Sequence, residues 1–121
     1  MLDRIATSLE HYMNLLSARQ KLVASNIANA DTPGYKTKDI DFQFEFMSLA
    51  PKAFNGAPMA GSNPNVIEAP GLAIKNDGNN VDMDRESRLL AENALRFSLA
   101  STLAKGQIRA IRNAIQEGRG G

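Results

Sequence analysis

Ser25-Asn26-Ile27-Ala28-Asn29-Ala30-Asp31-Thr32-Pro33-Gly34-Tyr35 is the stretch on which the reading of this chain turns. Upstream of it the apolar residues Leu2, Ile5, Leu9, Tyr12, Leu16, Val23, Ile27 and Ala30 keep a helical period. Leu2, Leu9, Leu16, Val23 and Ala30 fall seven apart, so the period holds for four heptads. It stops at Asp31-Thr32-Pro33-Gly34, where proline drives Thr32 out of helical geometry and glycine permits a turn. One helix is therefore expected over residues 2 to 30, about 45 Å long at 1.5 Å per residue. Arg19 and Gln20 interrupt its companion seam.

Beyond the turn, Ile40-Asp41-Phe42-Gln43-Phe44-Glu45-Phe46 alternates with period two. It reads as a strand or an extended arm with Ile40, Phe42, Phe44 and Phe46 on one side. Residues 51 to 80 hold four Pro, four Gly and six Asn, which argues for a loop-rich insertion. Within it, Leu72-Ala73-Ile74 and Val81-Asp82-Met83 flank Asn76-Asp77-Gly78-Asn79 and suggest a short β-hairpin turning at Asp77-Gly78.

A second helix is expected from Asp82, a good cap, to Glu117, with Gly118 at its end. Acids gather near its start and Lys and Arg near its end, as the helix dipole favours. Leu90, Ala94, Phe97, Ala104, Ile108, Ile111 and Ile115 fall within one stripe, the expected core face. Leu95, Leu99 and Leu103 lie on the opposite side. A two-helix hairpin covers only one of these faces, so the other meets either the middle segment or another subunit.

The expected architecture is mainly α: two long terminal helices packed as an antiparallel, coiled-coil-like hairpin, with a loop-rich, partly extended β-containing insertion between them. Its parts are the N-terminal helix and turn at 1–35, the insertion at 36–81 and the C-terminal helix at 82–121. The two ends together form one assembly domain.

Composition narrows the chemistry. Across 121 residues, 14 Lys and Arg face 13 Asp and Glu, a net charge of +1 that makes no electrostatic case for nucleic acid. The chain has no Cys and one His, His11, which removes thiolate chemistry and multi-histidine metal sites. Asp39 with Asp41, or Asp82 with Asp84, are the carboxylate pairs available for acid–base work, but each also suits a turn or a helix start. Gly118, Gly120 and Gly121 follow a helix, whereas a phosphate-cradling loop precedes one. No catalytic, metal or cofactor site is expected. Neither a cleavable signal peptide nor an apolar run of membrane-spanning length is visible, so direct membrane insertion is not expected.

The stretch from Ser25 to Tyr35, an Asn-Ile-Ala-Asn core leading to Thr-Pro-Gly-Tyr, closely resembles the N-terminal signature of bacterial flagellar rod and hook proteins. Lys38-Asp39-Ile40-Asp41-Phe42 and Asp77-Gly78-Asn79-Asn80-Val81-Asp82-Met83-Asp84-Arg85-Glu86 look like the short, proximal-rod type within that family. The resemblance implies a non-enzymatic structural subunit that stacks helically in the periplasmic rod of the flagellar basal body, transmits torque from the membrane ring to the hook and is exported by the flagellar type III apparatus. It implies as partners other rod subunits, copies of itself and paralogues, the hook-basal-body protein FliE, and the inner-membrane ring or export gate. On this reading the assembly and signature residues are Asn26, Ile27, Asn29, Thr32, Pro33, Gly34, Tyr35, Asp82, Leu95, Leu99 and Leu103. A small non-enzymatic helical adaptor or chaperone of the export system is the alternative, separable by assembly stoichiometry.

Overall fold

The structure, a computed structural model, describes residues 2–45, 47 and 64–120. Phe46 and positions 48 to 63 of the expected insertion lie outside the described residues. The elements are α1 (Leu2–Ala28), β1 (Lys38–Ile40), β2 (Val66–Glu68) and α2 (Met83–Gly120). At 1.5 Å per residue the helices are about 40 and 57 Å long.

α1 stops two residues short of the expected end because its last carbonyls are taken over locally. Asn29 bonds the Ser25 carbonyl twice, through its amide at 3.0 Å and through Nδ2 at 2.8 Å. The Ala30 amide then bonds only the third residue back, Ile27, at 3.2 Å, and the chain leaves in successive turns. At the other end Asp82 caps α2, its Oδ1 accepting from the amides of Asp84 at 3.0 Å and Arg85 at 3.3 Å. The helix continues through Gly118 to Gly120, beyond the expected stop.

The two helices pack against each other. Asn26 meets Glu86, Gln20 meets Asn93, and Glu10 and Met13 share a hollow with Phe97, Ala104 and Ile108. Residue numbers thus fall along α1 as they rise along α2. Extended at equal rise, this places the start of α1 opposite about residue 110 of α2. The last turns of α2 therefore reach past α1, and Ile115 is 55% exposed.

The core runs from the middle of the helix pair to the end next to the turn. Leu15, Leu16 and Val23 of α1, Ile40, Ala69 and Val81 of the connecting segment, and Leu89 and Ala100 of α2 are its buried apolar residues. The inner face of α2 keeps only part of the expected stripe: Ala104 and Ile111 are half-buried, and Phe97, Ala104 and Ile108 line the hollow shared with α1. Leu90, Phe97, Ile108 and Ile115 are exposed, whereas Glu86, Leu89, Asn93 and Ala100 are buried. Glu86, Asn93 and Ala100 keep a seven-residue spacing. Two of these positions are polar, so a count of apolar residues alone turns the face away from them.

Between the helices β1 and β2 pair antiparallel, with Lys38 opposite Glu68, Asp39 opposite Ile67 and Ile40 opposite Val66. This replaces both extended expectations. The alternating run gives a strand only to Ile40; positions 42 to 45 form a helical turn. Asp41 starts it, Oδ1 accepting from the Phe44 amide at 3.1 Å, and an Asx start outcompetes a continued strand. The Asp77-Gly78 turn exists, with Lys75 and Asn79 joined at 2.8 Å, but its flanks carry no hairpin strands. Asn79 bonds to the signature segment through its side chain and Asn80 through its backbone amide instead, and Met83 already belongs to α2.

Candidate functional site: the signature turn and its polar clasp

Asn26 is fully buried, and its side-chain amide is saturated. Nδ2 donates to the Lys38 carbonyl at 2.8 Å and to Glu86 Oε2 at 3.1 Å. Oδ1 accepts from the Lys38 amide at 3.0 Å and the Tyr35 hydroxyl at 3.0 Å. One side chain thus binds both backbone groups of a β1 residue, the signature tyrosine and a carboxylate of α2. It uses both donors and both acceptor sites of a primary amide.

Asn79, also fully buried, does the same for the turn. Its Nδ2 donates to the carbonyls of Asn29 and Thr32, both at 2.9 Å, and its Oδ1 accepts from the Val81 amide at 2.8 Å. Asn80 Oδ1 accepts from the amide of the buried Thr37 at 2.7 Å, and the Asn80 amide donates to the Tyr35 carbonyl at 3.3 Å. Three asparagines therefore stitch α1, the turn and the lead into α2 together, satisfying backbone groups that the irregular path would otherwise leave unpaired.

The glycine in the signature has a conformational reason. Gly34 has φ +76°, a left-handed value disfavoured by side chains, and its amide donates to the Asp77 carbonyl at 2.9 Å. Nothing lies within 4 Å of where its Cβ would be. The close approach belongs to Gly78, φ +87°, where a Cβ would meet the Gly34 Cα at 3.3 Å. Two glycine turns lie backbone to backbone.

Alongside the asparagines runs a charge cluster. Arg19 grips Asp39 with two bonds of 2.9 Å, Arg85 reaches Asp39 Oδ2 at 2.6 Å, and Arg85 also reaches Glu86 Oε1 at 2.6 Å. Two arginines and two carboxylates balance, as burial of the Asp39 and Glu86 side chains, 10% and 0% exposed, demands. Arg19 also lies over the Phe42 ring at 4.9 Å. With its oxygens held by Arg19, Arg85 and the Ile40 amide, Asp39 is a structural anion.

Of the expected site residues, Asn26, Asn29, Thr32, Gly34 and Tyr35 meet at this clasp, and Asp82 lies one turn from its Glu86. Pro33 is exposed and Ile27 partly buried beside it. Leu95, Leu99 and Leu103 lie apart, far along α2, and are 72%, 61% and 52% exposed. Sequence reasoning missed Arg19, Thr37, Arg85, Glu86 and the roles of Asn79 and Asn80. The available signal was the polar break at Arg19 and Gln20, seven residues before Asn26. Among the described residues no cluster of His, Cys, Asp and Glu has metal-holding geometry, and no helix is long and apolar enough to cross a membrane.

Residues 13–36, which hold most of this clasp's α1 side, match the flagella basal body rod protein family. The chain is 33% identical to flagellar basal body rod protein FlgB of Escherichia coli (strain K12), over 98% of this chain and 99% of the relative. Identity is 36% to FlgB of Salmonella typhimurium (strain LT2), with the same coverage, and 30% to FlgB of Borrelia hermsii, over 88% and 93%. The first two alignments run to 141 residues against 121 here, so those relatives carry insertions that this chain lacks. A match of this identity along nearly the whole of both chains, with the signature at its structural centre, places the chain in the FlgB family of flagellar basal body rod proteins.

Proposed function

We propose that the chain is a structural, non-catalytic subunit of the proximal rod of the bacterial flagellar basal body, assembling with other axial proteins to carry torque from the membrane ring to the hook. The observation that carries this reading is the row Leu95, Leu99, Leu103, which stands exposed on a helix whose polar clasp is complete within one chain. An isolated protein gains nothing from three solvent-facing leucines in line, whereas a rod subunit surrounded by others buries them.

On this proposal residues 1–35 and 82–121 act together as an antiparallel, coiled-coil-like hairpin, the assembly domain, and 36–81 is the insertion that spaces it. The rod lies in the periplasm and the chain reaches it through the flagellar type III apparatus. Its neighbours are further copies and paralogous rod subunits, FliE, and the inner-membrane ring or export gate beneath. Deletion of the gene should leave cells non-motile, with basal bodies that lack rod beyond the membrane ring, and a plasmid copy should restore both. A motile deletion strain with complete rods would refute the assignment.

A further inference from the structure

Two adjoining hollows run along one side of the helix pair. The first, about 350 Å³, is lined by Leu16, Ser17, Gln20, Asn93, Ala94 and Phe97. The second, about 420 Å³, shares Ser17 and Phe97 and continues past Met13 and Glu10 to Ala104 and Ile108. Together they make a groove of mainly apolar walls along α2 from position 93 to 108, about 22 Å at helical rise. Phe97, Ala104 and Ile108 stand about 140 to 180° around α2 from the centre of the Leu95, Leu99, Leu103 row. The row itself spans about 12 Å and fits within the groove's length.

Charge supports the same pairing. Glu10 lines the groove and has no ion-pair partner among the described residues. Arg96, exposed beside the row, likewise has none, whereas the neighbouring Glu92 is already held by Arg88 at 3.9 Å. One chain therefore carries a groove with an unpaired acid on one side and a leucine row with an unpaired base on the other.

We infer that the groove between α1 and α2 receives the Leu95–Leu99–Leu103 row of a second copy of this chain, with Glu10 of one copy paired to Arg96 of the next. Because the two surfaces are different and lie on opposite sides of α2, the contact is head-to-tail and leaves each copy with a free groove or a free row. It is a helix-in-groove contact read at i, i+4 and i+8. This rests on the rod-subunit reading, and specifies which surfaces meet.

The absence of cysteine makes the test direct. Cells would co-express Leu99→Cys with either Met13→Cys or Ser17→Cys, and isolated basal bodies would be oxidised and run without reductant. Disulfide-linked dimers are expected from the mixtures and not from any variant alone. Dimers from Leu99→Cys alone would show row against row and overturn the proposal, as would variants present in basal bodies that form no mixed dimer. Wild-type chain missing from basal bodies would instead overturn the rod reading. Charge reversal gives an independent arm: Glu10→Lys and Arg96→Glu should each lower rod yield several-fold, and the double variant should recover most of it. A double variant no better than the singles would refute the pairing.

Discussion

Asn26 shows how much one buried amide can decide. Truncation to alanine strands the Lys38 amide and carbonyl and removes the neutral donor that Glu86 uses inside the clasp. Asn26→Ala should cost about 3 kcal/mol, since buried groups left without partners carry their full desolvation penalty. Asn26→Asp should cost more, by setting a second carboxylate against Glu86 at a fully buried position. Denaturant unfolding checks both, and an aspartate variant as stable as wild type would contradict the assigned bonds. Gly34 makes a different argument, because its site is open and only its φ of +76° matters. Gly34→Ala should cost about 1 kcal/mol, and Gly34→Val more, from the left-handed backbone alone. We expect Gly34→Val to be exported normally yet to enter rods poorly, which periplasmic fractionation separates. These residues were legible in sequence as a motif, and the positive φ could be foreseen from Pro33-Gly34. Their partners were not, because Asn26 and Glu86 are 60 positions apart and no local period announces a hydrogen bond across that distance.

The helices were the most legible elements, and Asp82 shows why. A carboxylate ahead of Met83-Asp84-Arg85-Glu86 is a cap signal that depends on four neighbouring residues only. Asp82→Ala should destabilise the chain by about 1 kcal/mol, read from the midpoint of thermal or denaturant unfolding. A midpoint unchanged within error would mean that the first turn of α2 is fixed by Glu86 and Arg85 instead. What was misread is the orientation of α2, since Glu86 and Asn93 count as solvent-facing on any hydropathy scale. They are buried because Asn26, Arg85 and Gln20 meet them. Arg19 likewise looked like a flaw in the α1 seam, yet it is the residue that ties α1 to β1 through Asp39. The strands were the least legible: three residues each, paired across a segment rich in Pro, Gly and Asn, they owe their place to the clasp and not to their own pattern.

At the scale of the molecule, burial is uneven. Leu16 and Val23 are 1% exposed beside the clasp, while Ile5, Ile108 and Ile115, toward the open end of the helix pair, are 40 to 55% exposed. The polar clasp is complete in one chain, whereas large apolar side chains along the whole molecule, Ile74, Leu95, Leu99 and Ile115 among them, stay exposed. Leu99→Asp should therefore leave unfolding of the isolated chain nearly unchanged, within about 0.5 kcal/mol for an exposed position. It should abolish motility, by burying an unpaired charge wherever rods form. A soluble, stable variant that still builds rods would place Leu99 at no contact. The central claim, that this chain is a rod subunit whose exposed helix surface is completed by neighbours, is tested most directly by imaging the intact basal body at side-chain detail with this subunit located. The account predicts the chain within the proximal rod, its Asn26 clasp intact and Leu95, Leu99 and Leu103 buried against adjacent subunits. A chain absent from the rod, or present with that row facing open solvent, would contradict it.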